Sequence, residues 1–350
     1  MKPISAGSYS IYFENKKFSA LNRFLKQKKF SHYFILCDEN TIQNCVPQLI
    51  SAVPALAKAH LIETESGEAA KSLEIAVHIW NCLLEEQADR ESVLIHVGGG
   101  VICDLGGFCA SVFKRGIPFI HLPTTVLAMA DASIGTKTAI DFEGIKNTIG
   151  TFAAPEAVFI APHFLHTLPQ RHLLNGLAEI YKIALVADRR FWSRLQGLQM
   201  NELIYQSVLL KTKIVKRDPL EKNLRKVLNF GHSIGHALEA FLLAEQLDIL
   251  HGEAVVAGMI METHVAWQKK LIPASLRDEI VFVLSSWFDL PAFGFDFQQL
   301  EPFLRHDKKN KNGELKLALL RGAGQGVPAS TCTPTQIKKA IAFYKNCLDA

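Results

Sequence analysis

The sequence predicts an α/β domain built on a parallel sheet over residues 1–165, followed by a mainly α-helical domain over residues 166–350. Two observations carry this. In the first part, short apolar β-rich runs alternate with helical patterns, the signature of a sheet covered by helices on both faces. Past Pro169 the apolar spacing changes to three and four, the period of a helix. The boundary is expected between Pro162 and Pro169, which flank the end of the last β-run.

In chain order, the expected strands lie at residues 33–37, 60–62, 93–97, 119–122 and 157–160, with helical patterns such as residues 69–86 between them. The helical part repeats apolar residues at Leu173, Leu177, Ile180 and Ala184, then at Val208, Leu209, Ile214 and Val215. A strand pair is expected near the end, with residues 315–320 entered through a turn at Asn312 and Gly313. A chain of 350 residues buries a large core without staples. Its 49% hydrophobic and 21% charged content excludes disorder and fibrous repeats. A formal net charge of +4 is too small for a polycationic nucleic-acid binder. No run approaches the ~18 uncharged apolar residues of a membrane helix, and the start lacks the apolar core of a signal peptide. The 7 cysteines form no C-x-x-C pair and sit mostly in apolar runs, so they are expected to be reduced thiols of a cytoplasmic protein.

The run at 93–97 leads directly into Gly98, Gly99 and Gly100 and then a helix start containing Asp104. A strand, a glycine turn and a helix N-terminus are the parts of a Rossmann-like pyrophosphate site, because glycine lets the backbone approach phosphate and helix N–H groups point at it. The spacing differs from G-x-G-x-x-G, and three glycines also mark an ordinary tight turn. Asp38, just after the first expected strand, stands where a carboxylate can accept from a ribose hydroxyl.

The second half carries a different chemistry. His232 and His236 are four apart, on one helical face. His251 opens another helical pattern, and Glu179 and Lys182 share a face at i and i+3. Imidazoles with a carboxylate suit a divalent ion and leave a position open for substrate. An isolated H-x-x-x-H is as readily structural, and without an adjoining Glu it lacks the base of zinc proteases. Basic residues flank these ligands in clusters with Ser, Thr and Gly, which suits a small anionic substrate better than nucleic acid.

Together, and in order, the motifs Gly98-Gly-Gly-Val-Ile-Cys-Asp104, Asp131-Ala-Ser-Ile-Gly-Thr-Lys137, Gly176-Leu-Ala-Glu179-Ile-Tyr-Lys182, Asn229-Phe-Gly-His232-Ser-Ile-Gly-His236 and His251-Gly-Glu253 resemble 3-dehydroquinate synthase, within the sugar phosphate cyclases. The resemblance covers nearly the whole chain. It implies a dehydroquinate synthase-like fold with the active site between the two domains, one bound NAD and one divalent metal, Zn2+ or Co2+. The metal ligands would be Glu179, His232 and His251. NAD contacts would include Asp38, Asn40, Glu68, Lys71, Gly99, Gly100 and Asp104, with Thr124, Thr125, Lys146, Thr167 and Leu168. Substrate contacts would include Asp131, Lys137, Asn147, Lys182, Lys211, Arg225, Asn229 and His236, joined by one of Lys308 and Lys309, with Lys308 preferred. Arg115 would reach a neighbouring subunit's site, which implies a homodimer.

The implied reaction converts 3-deoxy-D-arabino-heptulosonate 7-phosphate to 3-dehydroquinate and phosphate, a step of the shikimate pathway toward aromatic amino acids. It runs through transient oxidation by NAD, β-elimination of phosphate, re-reduction and intramolecular aldol closure. His236 would relay a proton with the substrate phosphate, which can itself be the base. The chain departs from the family pattern at Thr136, Cys103, His172 and Pro219, and in an insertion at residues 246–249. The competing readings are another sugar phosphate cyclase (valiolone, inosose or aminodehydroquinate synthase), a metal-dependent polyol dehydrogenase, and an inactive NAD-binding relative.

Overall fold

The computed structural model describes residues 1–143, 145–306 and 315–348. The chain divides into two compact units, Met1–Pro169 with Lys211–Leu220, and Gln170–Leu210 with Glu221–Ala350.

The first unit holds strands β1 (Ile4–Ser5), β2 (Ser10–Phe13), β3 (Tyr33–Asp38), β4 (His60–Thr64), β5 (Val93–Gly98), β6 (Phe119–Pro123), β7 (Lys137–Phe142), β8 (Ile145–Phe152) and β9 (Ala157–Ile160). Its helices are α1 (Ser19–Lys28), α2 (Glu39–Asn44), α3 (Val46–Ala52), α4 (Leu73–Glu85) and α5 (Gly100–Val112). Seven strands form one sheet in the order β1-β2-β9-β6-β5-β3-β4, parallel except for the β1–β2 pair. The five expected runs are β3, β4, β5, β6 and β9. The inner strands are legible because strands covered on both faces read as unbroken apolar stretches: Phe34, Ile35, Leu36, Leu94, Ile95, Val97, Ile120 and Leu122 are all buried, whereas the edge strand β4 alternates between buried and exposed residues.

Two features escape the sequence reading. Strands β1 and β2 are too short for a periodic signal. The hairpin β7–β8 is built from polar and glycine-containing sequence, and its second strand alternates between exposed and half-buried residues. The helical pattern over 69–86 is broken at its start: residues 68–70 form a 3₁₀ turn, and α4 begins afresh after Ser72, whose hydroxyl accepts from the Ile75 N–H at 3.3 Å.

Helix α5 presses hard on the sheet. A Cβ at Gly106 would come within 2.5 Å of the His96 ring. His96 on β5 and His121 on β6 are partners in register, with their Nδ1 atoms 3.0 Å apart. Burial pushes both imidazoles down, His96 well below its ordinary value and His121 to about 3. They form a neutral pair inside the core.

The second unit contains α6 (Gln170–Ala187), α7 (Arg189–Trp192), the first part of α8 (Met200–Arg217), α9 (His232–Ala244), α10 (His251–Gln268), α11 (Ala274–Trp287), α12 (Phe297–His306) and α13 (Pro334–Leu348). Helix α10 packs against α6, α9, α11 and α13. It is buried from Ala254 to Ala266, as an apolar helix surrounded by others must be. The expected strand pair is present as β10 (Leu315–Gly322) and β11 (Gln325–Cys332). These turn at Gly324, whose φ of 77° favours glycine. The entry turn expected at Asn312 and Gly313 lies outside the described residues. Among the described residues no helix is long and apolar enough to cross a membrane, and all seven cysteines are free, five of them buried.

Candidate active site

In the first unit, the sheet order reverses between β3 and β5, so the carboxyl ends of these adjacent strands flank the crevice where α/β sheets take ligands. Asp38 ends β3 and the triple glycine ends β5. The glycines serve close approach rather than unusual dihedrals. A Cβ at Gly98 would lie 2.5 Å from Ile102, and one at Gly99 would lie 3.3 Å from Thr125 Cγ2. Helix α5 then starts at Gly100 with no side-chain cap, which leaves its first N–H groups for an anion. Thr124 is joined to this turn, donating its N–H to the Gly98 carbonyl at 2.9 Å. Asp38 is a cap: its Oδ1 accepts from Asn40 N at 3.0 Å and Thr41 N at 2.8 Å.

Lys71 gathers several of the predicted residues. It is buried, with Nζ at 2.7 Å from Asp104 Oδ2, 2.5 Å from Asn147 Oδ1 and 3.9 Å from Glu68 Oε1. Burial pulls its pKa down, but the charges of Asp104 and Glu68 outweigh that and raise it. Lys146 lies 3.9 Å from the same Glu68 oxygen. Asn147 thus sits among residues assigned to the nucleotide. Also in this unit, Lys211 is buried against Asp131, at 2.7 Å from its Oδ1 and 2.8 Å from its carbonyl oxygen.

The second unit assembles the histidines. Glu179 and Lys182 point inward from α6 and are almost wholly buried, 1% and 2% exposed. The carboxylate divides its oxygens: Lys182 holds Oε2, while Oε1 lies 3.5 Å from both His232 Nε2 and His251 Nε2. Each imidazole is anchored from behind. His232 Nδ1 is 3.2 Å from the Phe230 carbonyl, and His251 Nδ1 is 3.3 Å from Glu239 Oε2. A ring held at Nδ1 presents Nε2 inward, protonated toward Glu179 when no cation is bound and as a lone pair once a cation displaces that proton. Burial pushes the Glu179 carboxyl up, yet Lys182 first and then His251 hold it at about 2. For His251 burial lowers the pKa, but Glu239 and Glu179 carry it to about 10.

The donor set fits a divalent cation. Oε1 of Glu179 is buried without a hydrogen-bond donor of good geometry, while facing two imidazole nitrogens whose other nitrogens are occupied. His236 joins them from the exposed side of α9, and nitrogens of His232, His236 and His251 lie within 4.8 Å of one another. Arg225, buried, and Asn229 are linked through Glu221, with Asn229 Nδ2 at 2.7 Å from its Oε1 and Arg225 Nε at 4.0 Å from its Oε2.

Arg115 is exposed just past α5, in a left-handed conformation with φ of 69°. Lys137 is exposed at the start of β7. Thr167 donates its hydroxyl to the Phe164 carbonyl, in the turn that also holds Leu168. Lys308 and Lys309 lie outside the described residues. Sequence reading also missed the supports of the histidines. Glu239 is seven residues past His232, two turns along the same face, which is a legible signal. Arg171 is less legible: it donates to Glu253 at 2.6 and 2.9 Å and to Asp248, tying the inserted loop to α6. Asn175 Oδ1 accepts from Gly252 N at 2.5 Å, beside His251.

Known proteins resemble this chain throughout. A solved 2-deoxy-scyllo-inosose synthase, in complex with carbaglucose-6-phosphate, NAD+ and Co2+, matches with a TM-score of 0.87 at 25% identity over 99% of each chain. A 2-epi-5-epi-valiolone synthase from Streptomyces hygroscopicus subsp. jinggangensis, with NAD+ and Zn2+, matches with a TM-score of 0.85 at 26% identity over 99% of each. The fold is therefore that of the sugar phosphate cyclases. The family profiles for the 3-dehydroquinate synthase N-terminal and C-terminal parts match residues 61–175 and 176–310. A 3-dehydroquinate synthase of Parabacteroides distasonis is 37% identical over 93% of this chain and 95% of its own length. The chain belongs to the 3-dehydroquinate synthase family.

Proposed function

We propose that the protein is a carbon–oxygen lyase that converts 3-deoxy-D-arabino-heptulosonate 7-phosphate to 3-dehydroquinate and inorganic phosphate. The observation that carries this is the convergence of Glu179 Oε1 on two imidazole nitrogens at 3.5 Å, each ring locked from behind. Glu179, His232 and His251 would hold Zn2+ or Co2+, which supplies Lewis-acid polarisation of a sugar hydroxyl. The glycine turn, Asp38 and the Lys71 group would hold NAD, which would supply a hydride acceptor that is regenerated within the turnover.

The remaining work falls to side chains. Lys182, Lys211 and Arg225 are buried cations whose positions are fixed by Glu179, Asp131 and Glu221, so their charge is preorganised for an anionic substrate. Asn229 is held by the same Glu221 and presents an oriented amide. His236, on the exposed side of the histidine group, can exchange a proton with the leaving phosphate and with solvent.

The test is to incubate the purified protein with the heptulosonate phosphate, NAD and Zn2+. Release of one phosphate per dehydroquinate, without accumulation of NADH, is the expected result. Net NADH formation would instead mark a polyol dehydrogenase, and a product of different mass another cyclase.

A second copy of the chain is the partner this reading favours. Leu73, Val77 and Leu84 leave α4 exposed on one side, and Phe142, Ile145 and Phe152 do the same on the hairpin, whose strand β7 packs against α4. Such a group of exposed apolar residues marks an interface. Arg115, held out by its left-handed backbone, would serve the partner's site. Light scattering should give a dimer that Phe152→Glu dissociates. Seven free thiols, five of them buried, agree with a reducing cytoplasm.

A further inference from the structure

The start of α9 poses a hydrogen-bonding problem. Helices α9 and α10 run past each other in opposite directions at very short range. A Cβ on Gly258 would fall 1.9 Å from the Gly231 carbonyl oxygen, and one on Gly235 would fall 2.8 Å from the Ala254 carbonyl oxygen. This contact excludes water from the first turn of α9, where Gly231, His232, Ser233 and Ile234 are all buried. The first N–H groups of a helix have no intrahelical acceptor, and a buried donor left unpaired is costly. The ordinary remedy, a Ser or Asp at the cap, is barred here. Residue 231 has φ of 78°, and a side chain there would meet Met259 Cγ at 2.5 Å and the Val255 carbonyl oxygen at 2.9 Å.

The acceptor comes from the neighbouring helix. Glu262 on α10 has no exposure at all, and its carboxylate accepts from Gly231 N at 2.6 Å and Ile234 N at 3.2 Å. One side chain therefore satisfies both donors that a capping box divides between two residues.

The consequence reaches the metal group. The Gly231 N–H belongs to the Phe230–Gly231 peptide, and the carbonyl of that same peptide faces His232 Nδ1 at 3.2 Å. A peptide unit is rigid and planar. Fixing its N–H therefore fixes the direction of its carbonyl, and that carbonyl fixes the imidazole. Hydrogen bonds at the two ends of a peptide also polarise each other.

We propose that Glu262 is a positioning residue that sets the imidazole of His232 through the Phe230–Gly231 peptide, so that Nε2 faces Glu179. This rests on the metal reading given above and adds to it a residue well outside the ligand set. In Glu262→Gln an amide N–H replaces one of the two acceptor oxygens and confronts either the Gly231 or the Ile234 N–H, so the start of α9 loses one of its two holds.

The experiment measures Co2+ bound to the full chain, by competition with a chelator and by the visible absorption of the bound ion, for the wild type, E262Q, E262D and H232A. E262D keeps the charge but withdraws it by one methylene, and is read in the same way should E262Q fold poorly. The expected result is binding weakened by ~10–100-fold, the usual loss when an outer support of a ligand is removed, with an altered absorption band. E262Q or E262D that is less stable without metal, yet keeps wild-type Co2+ affinity and spectrum, would overturn the proposal and leave Glu262 a structural cap. If H232A also binds Co2+ as the wild type does, the metal reading itself fails, and the proposal with it.

Discussion

Replacing Glu179 by Gln separates the two duties of this carboxylate. Glu179 and Lys182 are 1% and 2% exposed and form an ion pair one helical turn apart. Gln keeps the shape but not the charge, so Lys182 is left as an ammonium facing a neutral amide inside the core. Breaking a buried pair by removing one partner costs ~3–5 kcal/mol, whereas replacing both partners by apolar groups of similar volume is often neutral. We therefore expect urea unfolding near neutral pH, with chelator present, to show E179Q destabilised by ~3–5 kcal/mol and the double variant E179Q/K182M to recover most of that loss. Metal binding follows a different order. E179Q and the double variant both lose the anionic oxygen that faces His232 and His251, so both should bind Co2+ poorly, while K182M alone should retain it. If E179Q were as stable as the wild type without metal, the buried charge assigned to Lys182 would be wrong. If E179Q bound Co2+ normally, Glu179 would not be a ligand.

Four further outcomes follow from the geometry. His251→Ala should lose bound metal and activity, because a site short of one ligand holds the ion poorly; metal analysis after dialysis reads this, and wild-type content would refute it. Chelator-stripped wild type should regain activity with Zn2+ or Co2+. Arg171→Lys should not substitute for the forked contacts to Glu253 and Asp248, so Co2+ affinity should fall in both R171K and R171A; full rescue by Lys would show that charge alone suffices. The His96–His121 pair predicts acid sensitivity with a definite sign. Both imidazoles titrate lower when folded than when unfolded. The unfolded chain therefore takes up protons below about 6.5 that the folded core refuses, His121 holding out until about 3. Stability should be full above that window and fall as pH drops through it, with a slope approaching about 1.4 kcal/mol per pH unit for each histidine. Replacing His121 by Leu should flatten the slope of the urea midpoint against pH, and an unchanged slope would place the acid sensitivity elsewhere.

The legible part of the candidate site is the part encoded by short spacing. Glu179 and Lys182 share a face because they are one turn apart, and His232 and His236 for the same reason. Gly98 to Gly100 are visible because they follow an apolar run directly. What local pattern does not encode is partnership across the fold. Lys71 draws Asn147 toward Asp104, and Asp131 fixes Lys211, yet neither of these groupings has a periodic signature. The β7–β8 hairpin was missed because its outer strand buries little, and burial is what imprints alternation on a sequence.

By itself, the sequence determined the class of fold and singled out the imidazoles and carboxylate of the candidate metal group, because hydrophobic period and residue chemistry are local properties of the chain. Only the tertiary structure decided how those side chains are aimed. The glycine-tight crossing of α9 and α10 removes water from a helix start, and a buried donor must then find an acceptor wherever the fold brings one. Glu262 meets that need from another helix, as Glu239 does for His251, and neither can be assigned to its partner until the packing that excludes solvent is known.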